Sequence, residues 1–319
     1  MRMETTRLRV AVVGAGGVGG YFGGRMAQAG HEVVFLARGA HLQALREQGL
    51  RVESILGDFH IFPAQATDDP REVGPVDLVL VATKAWQLPE AAEAMPPLVG
   101  PETLVLPLLN GVEAPDILAR VLGPEPVLGG LCHISAYKAG PGHIRHVGIQ
   151  PRITFGERKG GRTPRVERLH RILNACPGME AVLSEDIRAD MWAKLTFIAA
   201  FGGVGAVTRA PAGVIRRLPE TRRLLEQAVR EIVAVAQALG IALSEATVQQ
   251  TMAFVDRLEP HVMASMQRDI LEGRPSELEA QVGVVVRLGR QAGVATPVHE
   301  FLYAALLPQE LRARGEETW

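Results

Sequence analysis

The chain has 319 residues, with 34 Lys plus Arg against 35 Asp plus Glu and a formal net charge of −1. This length allows two domains with sizeable cores, and the balanced charge excludes the basic surface that is typical of proteins binding nucleic acids or anionic membranes. Cys132 and Cys176 lie in apolar surroundings, which predicts that they are small reduced residues of the core. The sequence contains no Cys/His cluster with the spacing of a metal site. The apolar runs are of strand length, so we expect no signal peptide, no membrane span and a cytoplasmic protein.

The first structural signal is the stretch Leu8–Gly20, LRVAVVGAGGVGG. Its β-branched start is typical of a parallel strand buried on both faces, and a G-x-G-x-x-G pattern and a predicted helix ending at Gly30 follow. In such a turn the glycines permit a tight bend, a close approach of pyrophosphate and close packing of the helix, whose N-terminus binds phosphate. The alternative is a glycine-rich turn without a ligand. The residues predicted to bind a dinucleotide are Gly14, Gly16, Gly17, Val18 and Gly19.

Residues 31–37 predict the second strand, and a helix is predicted over 40–48. In this type of fold the residue that closes the second strand meets the adenosine ribose. An acid there binds the 2′-hydroxyl of NAD, whereas an arginine suits the 2′-phosphate of NADP. Because Arg38 stands at this point and no acid does, we predict NADPH as the cofactor. The alternative is a surface arginine that caps the strand end.

The rest of the first half predicts further short elements up to about residue 184. In chain order they are a hairpin over 50–64, buried strands over 76–82 and 103–109, antiparallel strands within 127–138 and 145–156 that extend the sheet, a helix over 165–175 and a strand over 179–183.

Polar side chains follow two of the buried strands. Lys84 and Gln87 come after the strand over 76–82, and Asn110 comes after the strand over 103–109. Because ligands bind at the carboxyl edge of an open α/β sheet, we expect these residues on the same edge as the glycine loop. The alternatives are a solvated loop lysine for Lys84 and a turn residue beside Gly111 for Asn110.

From about residue 184 the pattern is helical almost to the end. We therefore predict a dinucleotide-binding domain at 1–184 and a helical substrate domain at 185–319. A long helix over 185–200 is predicted to cross between them, with a break at Gly202-Gly203. Apolar residues at helical spacing within 232–239 fit core packing and also a contact between two copies, so a homodimer remains open.

Lys194 is the residue of this helix that fits a chemical role. Its neighbours Trp192 and Leu195 are apolar, and burial lowers the pKa of a lysine so that it can donate a proton near neutral pH. The reduction of a carbonyl needs such an acid. The alternative is a surface lysine that pairs with Asp190 one turn earlier.

Two further polar candidates lie in the last third of the chain. They are Ser265 and Glu277. Next to the second, Ser276 is predicted to cap a helix with Glu279 as its capping-box partner, and this capping box gives Glu277 no structural role. We expect Ser265 and Glu277 to reach across a helical pair toward the cleft between the domains.

Together these motifs resemble the ketopantoate reductase (2-dehydropantoate 2-reductase) family over nearly the whole chain. The motifs that carry the resemblance are the N-terminal GAGGVGG, LARG at 36–39, TKAWQ at 83–87, NG at 110–111, WAKL at 192–195, SMQRD at 265–269 and SELE at 276–279. The resemblance implies an α/β fold, with an N-terminal Rossmann-type dinucleotide-binding domain, an all-helical C-terminal domain and an active site in the cleft.

The resemblance also implies a role for each candidate residue. These roles are 2′-phosphate binding by Arg38 with help from Lys84 and Gln87, a contact of Asn110 with the nicotinamide side or the substrate, acid catalysis by Lys194, and substrate contacts by Ser265 and Glu277, with Glu277 also counted as catalytic.

We therefore expect NADPH-dependent reduction of a 2-oxo acid to a 2-hydroxy acid, with ketopantoate and the pantothenate pathway first. Members of the family carry asparagines about one and two turns after the catalytic lysine, where this chain has Ile198 and Gly202. An apolar position does not select for a hydroxyl as an amide does, so a different 2-oxo acid is the alternative. A non-catalytic NADPH-binding protein is a third hypothesis.

Overall fold

The structure is a computed structural model that describes residues 7–318. They divide into two compact units: the first holds the described residues up to 109 and Glu113–Ile187, and the second holds Asn110–Val112 and residues 188–318. The first unit contains a parallel sheet with helices and the second is helical, which confirms the predicted fold class. The assignment of NADPH to 1–184 and of substrate to 185–319 stays a prediction.

The first unit is built from short strands and helices. Its elements in chain order are β1 (Arg9–Val13), α1 (Gly17–Gln28), β2 (Glu32–Leu36), α2 (Gly39–Gln48), β3 (Leu50–Ser54), β4 (Phe59–Ile61), β5 (Gln65–Thr67), α3 (Pro70–Val73), β6 (Val76–Val81), α4 (Leu88–Ala94), β7 (Val99–Pro107), α5 (Ala114–Leu122), β8 (Gly129–His133), β9 (Ala136–Gly140), β10 (His143–His146), β11 (Arg152–Gly156), α6 (Pro164–Asn174) and β12 (Glu180–Leu183). The helices that follow are α7 (Ile187–Thr208), α8 (Ala212–Arg217), α9 (Pro219–Ala238), α10 (Glu245–Arg257), α11 (Ser265–Leu271), α12 (Val284–Ala292) and α13 (Pro297–Arg314).

The parallel sheet has the strand order β5-β2-β1-β6-β7, with β1 at its centre. Successive side chains of a strand point to opposite faces. Val10 and Val12 accordingly join one apolar core, and Ala11 and Val13 join another. Burial on both faces explains the continuous apolar run before the glycine loop, as predicted.

The strands β8 to β11 do not extend this sheet, so that prediction is wrong. β9 and β10 join β3 and β4 in a second sheet of order β4-β3-β10-β9, and β8, β11 and β12 form a third. The second sheet packs against α1, where a Cβ at Gly20 would lie 2.8 Å from Ile144 and one at Gly24 would lie 2.9 Å from Phe59. The glycines of α1 therefore make room for a sheet on that side of the helix.

The helix α7 continues through Gly202 and Gly203 to Thr208, so the predicted break is wrong. A Cβ at Gly203 would lie 3.0 Å from Leu302, and one at Gly205 would lie 2.6 Å from the Gln267 amide oxygen. These glycines cost helix propensity, but they let neighbouring side chains approach the helix closely. Their role is packing, and the sequence alone does not show the neighbours.

By length and composition alone, α7 is also long and apolar enough to cross a membrane, with a mean hydropathy of 1.3 over its best stretch. The expectation that no segment reaches this length is therefore wrong. Within the protein, 67% of that stretch is buried. Leu195, Ala199 and Val204 of α7 belong to the apolar core of the second unit, and a buried core helix has the same composition as a membrane span.

The predicted capping box at Ser276 is wrong. Both the backbone N–H and the hydroxyl of Ser276 donate to the buried carboxylate of Glu310, at 3.0 and 2.5 Å. Glu279 instead accepts a hydrogen bond from the Tyr303 hydroxyl at 2.8 Å, within a π-helical segment, Glu279–Gly283. The Ser276 hydroxyl still accepts a hydrogen bond from the Leu278 N–H at 3.2 Å, as an N-cap does, but Glu310 of α13 takes the place predicted for Glu279.

Candidate active site

The glycine loop is closely packed at Gly14 and Gly19 and open at Gly16. Gly14 has a φ of +95°, and a Cβ there would lie 2.8 Å from the backbone of Thr83, so only glycine fits. A Cβ at Gly19 would collide with the carbonyl oxygen of Gly14. At Gly16, by contrast, a Cβ would meet no atom within 4 Å. The second glycine therefore faces open space, at the N-terminus of α1.

One buried polar atom supports a ligand at this loop. The Thr83 hydroxyl is buried and has no hydrogen-bond partner among residues 7–318. Buried hydroxyls are usually paired, so an unpaired one calls for an explanation such as a bound group. Thr83 lies against Gly14 just after β6, and the N-terminus of a helix beside open space favours the binding of a phosphate. These residues fit the phosphates of a dinucleotide.

The three predicted 2′-phosphate residues are exposed side chains after β2 and β6. The guanidinium of Arg38 forms an ion pair with Glu90 at 2.8 Å, and both side chains are mostly exposed. The Lys84 ammonium lies 5.6 Å from the centre of the Trp86 ring. The amide oxygen of Gln87 accepts a hydrogen bond from the Lys84 backbone at 3.3 Å. The binding roles of Arg38, Lys84 and Gln87 stay predictions.

Asn110, Lys194 and Glu277 lie together in the second unit. The Lys194 Nζ donates to Asn110 Oδ1 at 2.9 Å, and Asn110 Nδ2 donates to Glu277 Oε2 at 2.9 Å. Lys194 is half-buried and Glu277 is buried. An ammonium only donates and a carboxylate only accepts, so the amide orientation of Asn110 is fixed by its two partners. The asparagine thereby holds the lysine and the glutamate in one chain of hydrogen bonds.

Gln281 extends this chain and was missed in the sequence. Its Nε2 donates to Glu277 Oε2 at 3.2 Å, and its side chain is almost fully buried. It lies in the π-helical segment, and π-helical turns are frequent at functional sites. A glutamine four residues after a glutamate is a common surface pattern, so the sequence carried no distinctive signal for it.

Ser265 is exposed at the start of α11 and makes no hydrogen bond with Lys194, Asn110 or Glu277 in the described chain. The structure therefore joins Lys194, Asn110 and Glu277 by hydrogen bonds that do not include Ser265. Its substrate role stays a prediction.

The two positions that depart from the family asparagines differ in their surroundings. Ile198 is partly buried and packs against the apolar core of the second unit. Gly202 is buried, and a Cβ there would lie 3.0 Å from Met266 Cε and 3.8 Å from Gln281 Oε1. An amide group is thus present beside position 202, although it comes from another segment of the chain.

The remaining candidates for chemistry lie elsewhere. Cys132 and Cys176 are buried and form no disulfide, as predicted, and burial raises the pKa of the Cys176 thiol to about 11. Such a thiol is a poor nucleophile. Within residues 7–318, no cluster of three or more His, Cys, Asp or Glu residues is arranged to hold a metal ion.

Comparison with known proteins covers both units. Residues 10–160 match the family described as ketopantoate reductase PanE/ApbA, and residues 186–310 match its C-terminal part. Among curated proteins, uncharacterized oxidoreductase YkpB of Bacillus subtilis is 32% identical over 94% of this chain and 98% of its own. A 2-dehydropantoate 2-reductase of Nostoc sp. is 30% identical over 93% of this chain and 94% of its own. Among solved structures, a PanE/ApbA family ketopantoate reductase from Ralstonia eutropha superposes with a TM-score of 0.87, at 32% identity over 96% of this chain and 99% of that one.

Proposed function

This chain belongs to the ketopantoate reductase PanE/ApbA family, and from that premise we propose that it reduces ketopantoate to pantoate with NADPH. Membership makes it an oxidoreductase that acts on a small 2-oxo acid. The particular acid, the choice of NADPH over NADH and a cytoplasmic location are parts of the proposal. The observation that carries it is the hydrogen-bonded chain from Lys194 through Asn110 to Glu277.

Lys194 is the proton donor in this proposal. NADPH, when bound, supplies the hydride that adds to the ketone carbon. The Lys194 ammonium hydrogen-bonds the ketone oxygen and transfers a proton to it as negative charge develops there. Asn110 holds one N–H of the ammonium through its amide oxygen, so the remaining N–H groups have a defined direction. Glu277 fixes the amide of Asn110 in turn. In this proposal its carboxylate also accepts a hydrogen bond from a substrate hydroxyl.

The cofactor preference rests on Arg38. Arg38 stands two residues after the end of β2, and an arginine rather than an acid in this region suits a 2′-phosphate. Its ion pair with Glu90 is exposed, and exposed pairs contribute little free energy, so a phosphate can compete for the guanidinium. Lys84 adds a second positive charge on the loop after β6.

A second candidate substrate is a 2-oxo acid without a distal hydroxyl. Ile198 offers only apolar atoms and Gly202 offers no side chain, whereas the amide of Gln281 beside position 202 supports the hydroxylated substrate. The two candidates therefore differ in whether the hydroxyl of ketopantoate has a partner.

A substrate panel tests the proposal. The purified protein is given NADPH or NADH with ketopantoate, with its analogue lacking the hydroxyl and with unbranched 2-oxo acids, and loss of reduced nicotinamide is followed. We expect the highest kcat/KM with NADPH and ketopantoate. Equal or better turnover of the analogue would establish the second candidate. Binding of NADPH without turnover of any acid would favour a non-catalytic protein.

A further inference from the structure

A buried histidine outside the predicted site contacts the glycine loop. His41 lies in α2, and the residue is buried, with 8% of its surface exposed. Its Nε2 lies 2.7 Å from the carbonyl oxygen of Ala15, and its Nδ1 lies 2.9 Å from the backbone nitrogen of Gly142 in the turn between β9 and β10. One side chain therefore joins α2, the glycine loop and the second sheet.

The two bonds define the protonation of the ring. The Gly142 N–H can only donate, so Nδ1 accepts and carries no proton. The Nε2 of the neutral ring then carries the hydrogen and donates to Ala15. Burial lowers the pKa of His41. The hydrogen bond to Ala15 acts in the opposite direction and the charge of Lys138 in the same one, and the pKa stays below its ordinary value. The neutral form is thus the stable one near neutral pH.

The bond to Ala15 has a geometric consequence for the next residue. The carbonyl of Ala15 and the N–H of Gly16 belong to one planar peptide unit, and in a trans peptide they point in opposite directions. Holding the carbonyl toward His41 therefore directs the Gly16 N–H away from it. Gly16 is the loop residue that faces open space, and its backbone is the part of such a loop that a pyrophosphate approaches.

We propose that His41 is a positioning residue for dinucleotide binding, which holds the Ala15–Gly16 peptide so that the Gly16 N–H meets the pyrophosphate. This inference rests on the proposed function because it requires a bound dinucleotide. The second sheet supports the same peptide: Gly142 anchors the ring, and Gly17 packs directly against Ala136 of β9. The pyrophosphate is common to NADPH and NADH, so the effect of His41 is the same for both cofactors.

The test compares two replacements of His41. In His41→Gln the amide can donate to Ala15 and accept from Gly142, whereas His41→Leu keeps bulk and loses both bonds. Binding of NADPH and of NADH is measured without substrate, from the fluorescence of the reduced nicotinamide. We expect His41→Leu to raise both Kd values about fivefold, the scale of one hydrogen bond, and His41→Gln to stay within about twofold of the parent. The kcat at saturating NADPH should be nearly unchanged in both.

A matched control is His60→Leu, since His60 also bonds a backbone carbonyl, that of Gln48 at 2.7 Å, but lies outside the loop. It should bind both cofactors like the parent. Unchanged binding in folded His41→Leu overturns the inference, and so does equal weakening in His41→Gln, which would mean that only the ring's bulk matters. If His41→Leu does not fold, His41→Asn replaces it: its amide is too short to reach both partners, and parent-like binding would overturn the inference. A parent protein that binds neither cofactor would instead refute the proposed function.

Discussion

The ammonium of Lys194 and the amide oxygen of Asn110 form a 2.9 Å hydrogen bond across 84 residues of sequence. Asn110 follows the last strand of the parallel sheet by three residues, yet it belongs to the helical unit with Lys194 and Glu277. The segment after β7 therefore carries Asn110 from the end of a sheet strand into contact with Lys194.

Removal of the Lys194 ammonium is expected to abolish proton transfer. Lys194→Ala should lower kcat by about a hundredfold or more, the range typical of a general acid, with a small change in the Kd of NADPH. Steady-state kinetics and a separate cofactor titration measure the two effects. Lys159→Ala is the control because Lys159 is exposed in the other unit. Near-parent turnover by folded Lys194→Ala would mean that another group is the acid.

Loss of the amide between lysine and glutamate is expected to misalign the ammonium. Asn110→Ala removes a hydrogen bond to a charged group and should lower kcat/KM for the oxo acid by about tenfold or more. Asn110→Asp keeps the shape, but it sets a carboxylate against Glu277 and should be at least as damaging. If Asn110→Ala changes only cofactor binding, the residue acts on NADPH and not on Lys194.

The ion pair of Arg38 with Glu90 predicts that replacing the arginine weakens NADPH binding and that replacing the glutamate strengthens it. Arg38→Ala should weaken NADPH binding by about tenfold while NADH binding stays constant, since only NADPH carries the 2′-phosphate. Glu90→Gln removes the competing carboxylate and should tighten NADPH binding by at most a few fold, because the pair is exposed. Titration of both cofactors against both variants checks this, and equal losses for NADH would remove the 2′-phosphate role.

Position 202 is a direct test of substrate choice. Gly202→Asn places a second amide beside Gln281 and should raise the preference for ketopantoate over its hydroxyl-free analogue by about tenfold. The added Cβ meets Met266 at its flexible end, so the helix should accept it. Gly202→Ala supplies the same Cβ without the amide and should leave the preference unchanged. A shift of equal size in both variants would point to volume alone.

Glu157 provides a pH-dependent prediction for stability. Hydrogen bonds from Arg165, at 2.8 and 2.6 Å, hold the pKa of the Glu157 carboxyl below its ordinary value, and the Thr163 hydroxyl adds to this. Because the folded pKa lies below the unfolded one, the stabilisation is complete above the unfolded pKa and is lost as pH falls through the folded pKa. Glu157→Gln should therefore lower Tm by roughly 2 °C near neutral pH and by progressively less in acid. Glu102→Gln, at an exposed position, should show no such trend.

The parts of the fold that could be predicted are those with local causes. The strand β1, the turn at Gly14 and the helix α1 follow from a buried apolar run and glycines at fixed spacing. Lys194 and Glu277 of the hydrogen-bonded chain could also be predicted as candidates. Lys194 has apolar neighbours in the sequence, and the local capping pattern gives Glu277 no role.

The parts that could not be predicted depend on long-range partners. The pairing of β10 with β3 joins segments about 90 residues apart, and no turn signal encodes it. Gly202 and Gly203 were interpreted as helix breakers because their neighbours are distant in sequence. Glu279 was predicted as the capping-box partner of Ser276 because Glu310, which accepts from the Ser276 N–H instead, lies 34 residues away. His41 was overlooked for the same reason, since its partners lie 26 and 101 residues away.

The segment Asn110–Val112 belongs to the helical unit although it lies within the sequence of the first unit, and this limits how the chain can be recombined with its relatives. A fragment that starts at residue 188 retains Lys194 and Glu277 but lacks the amide that connects them. A chimera made by exchanging everything after residue 187 would combine the asparagine of one parent with the lysine of another. An exchange that keeps the hydrogen-bonded chain of one parent intact therefore has to transfer residues 110–112 together with everything after residue 187.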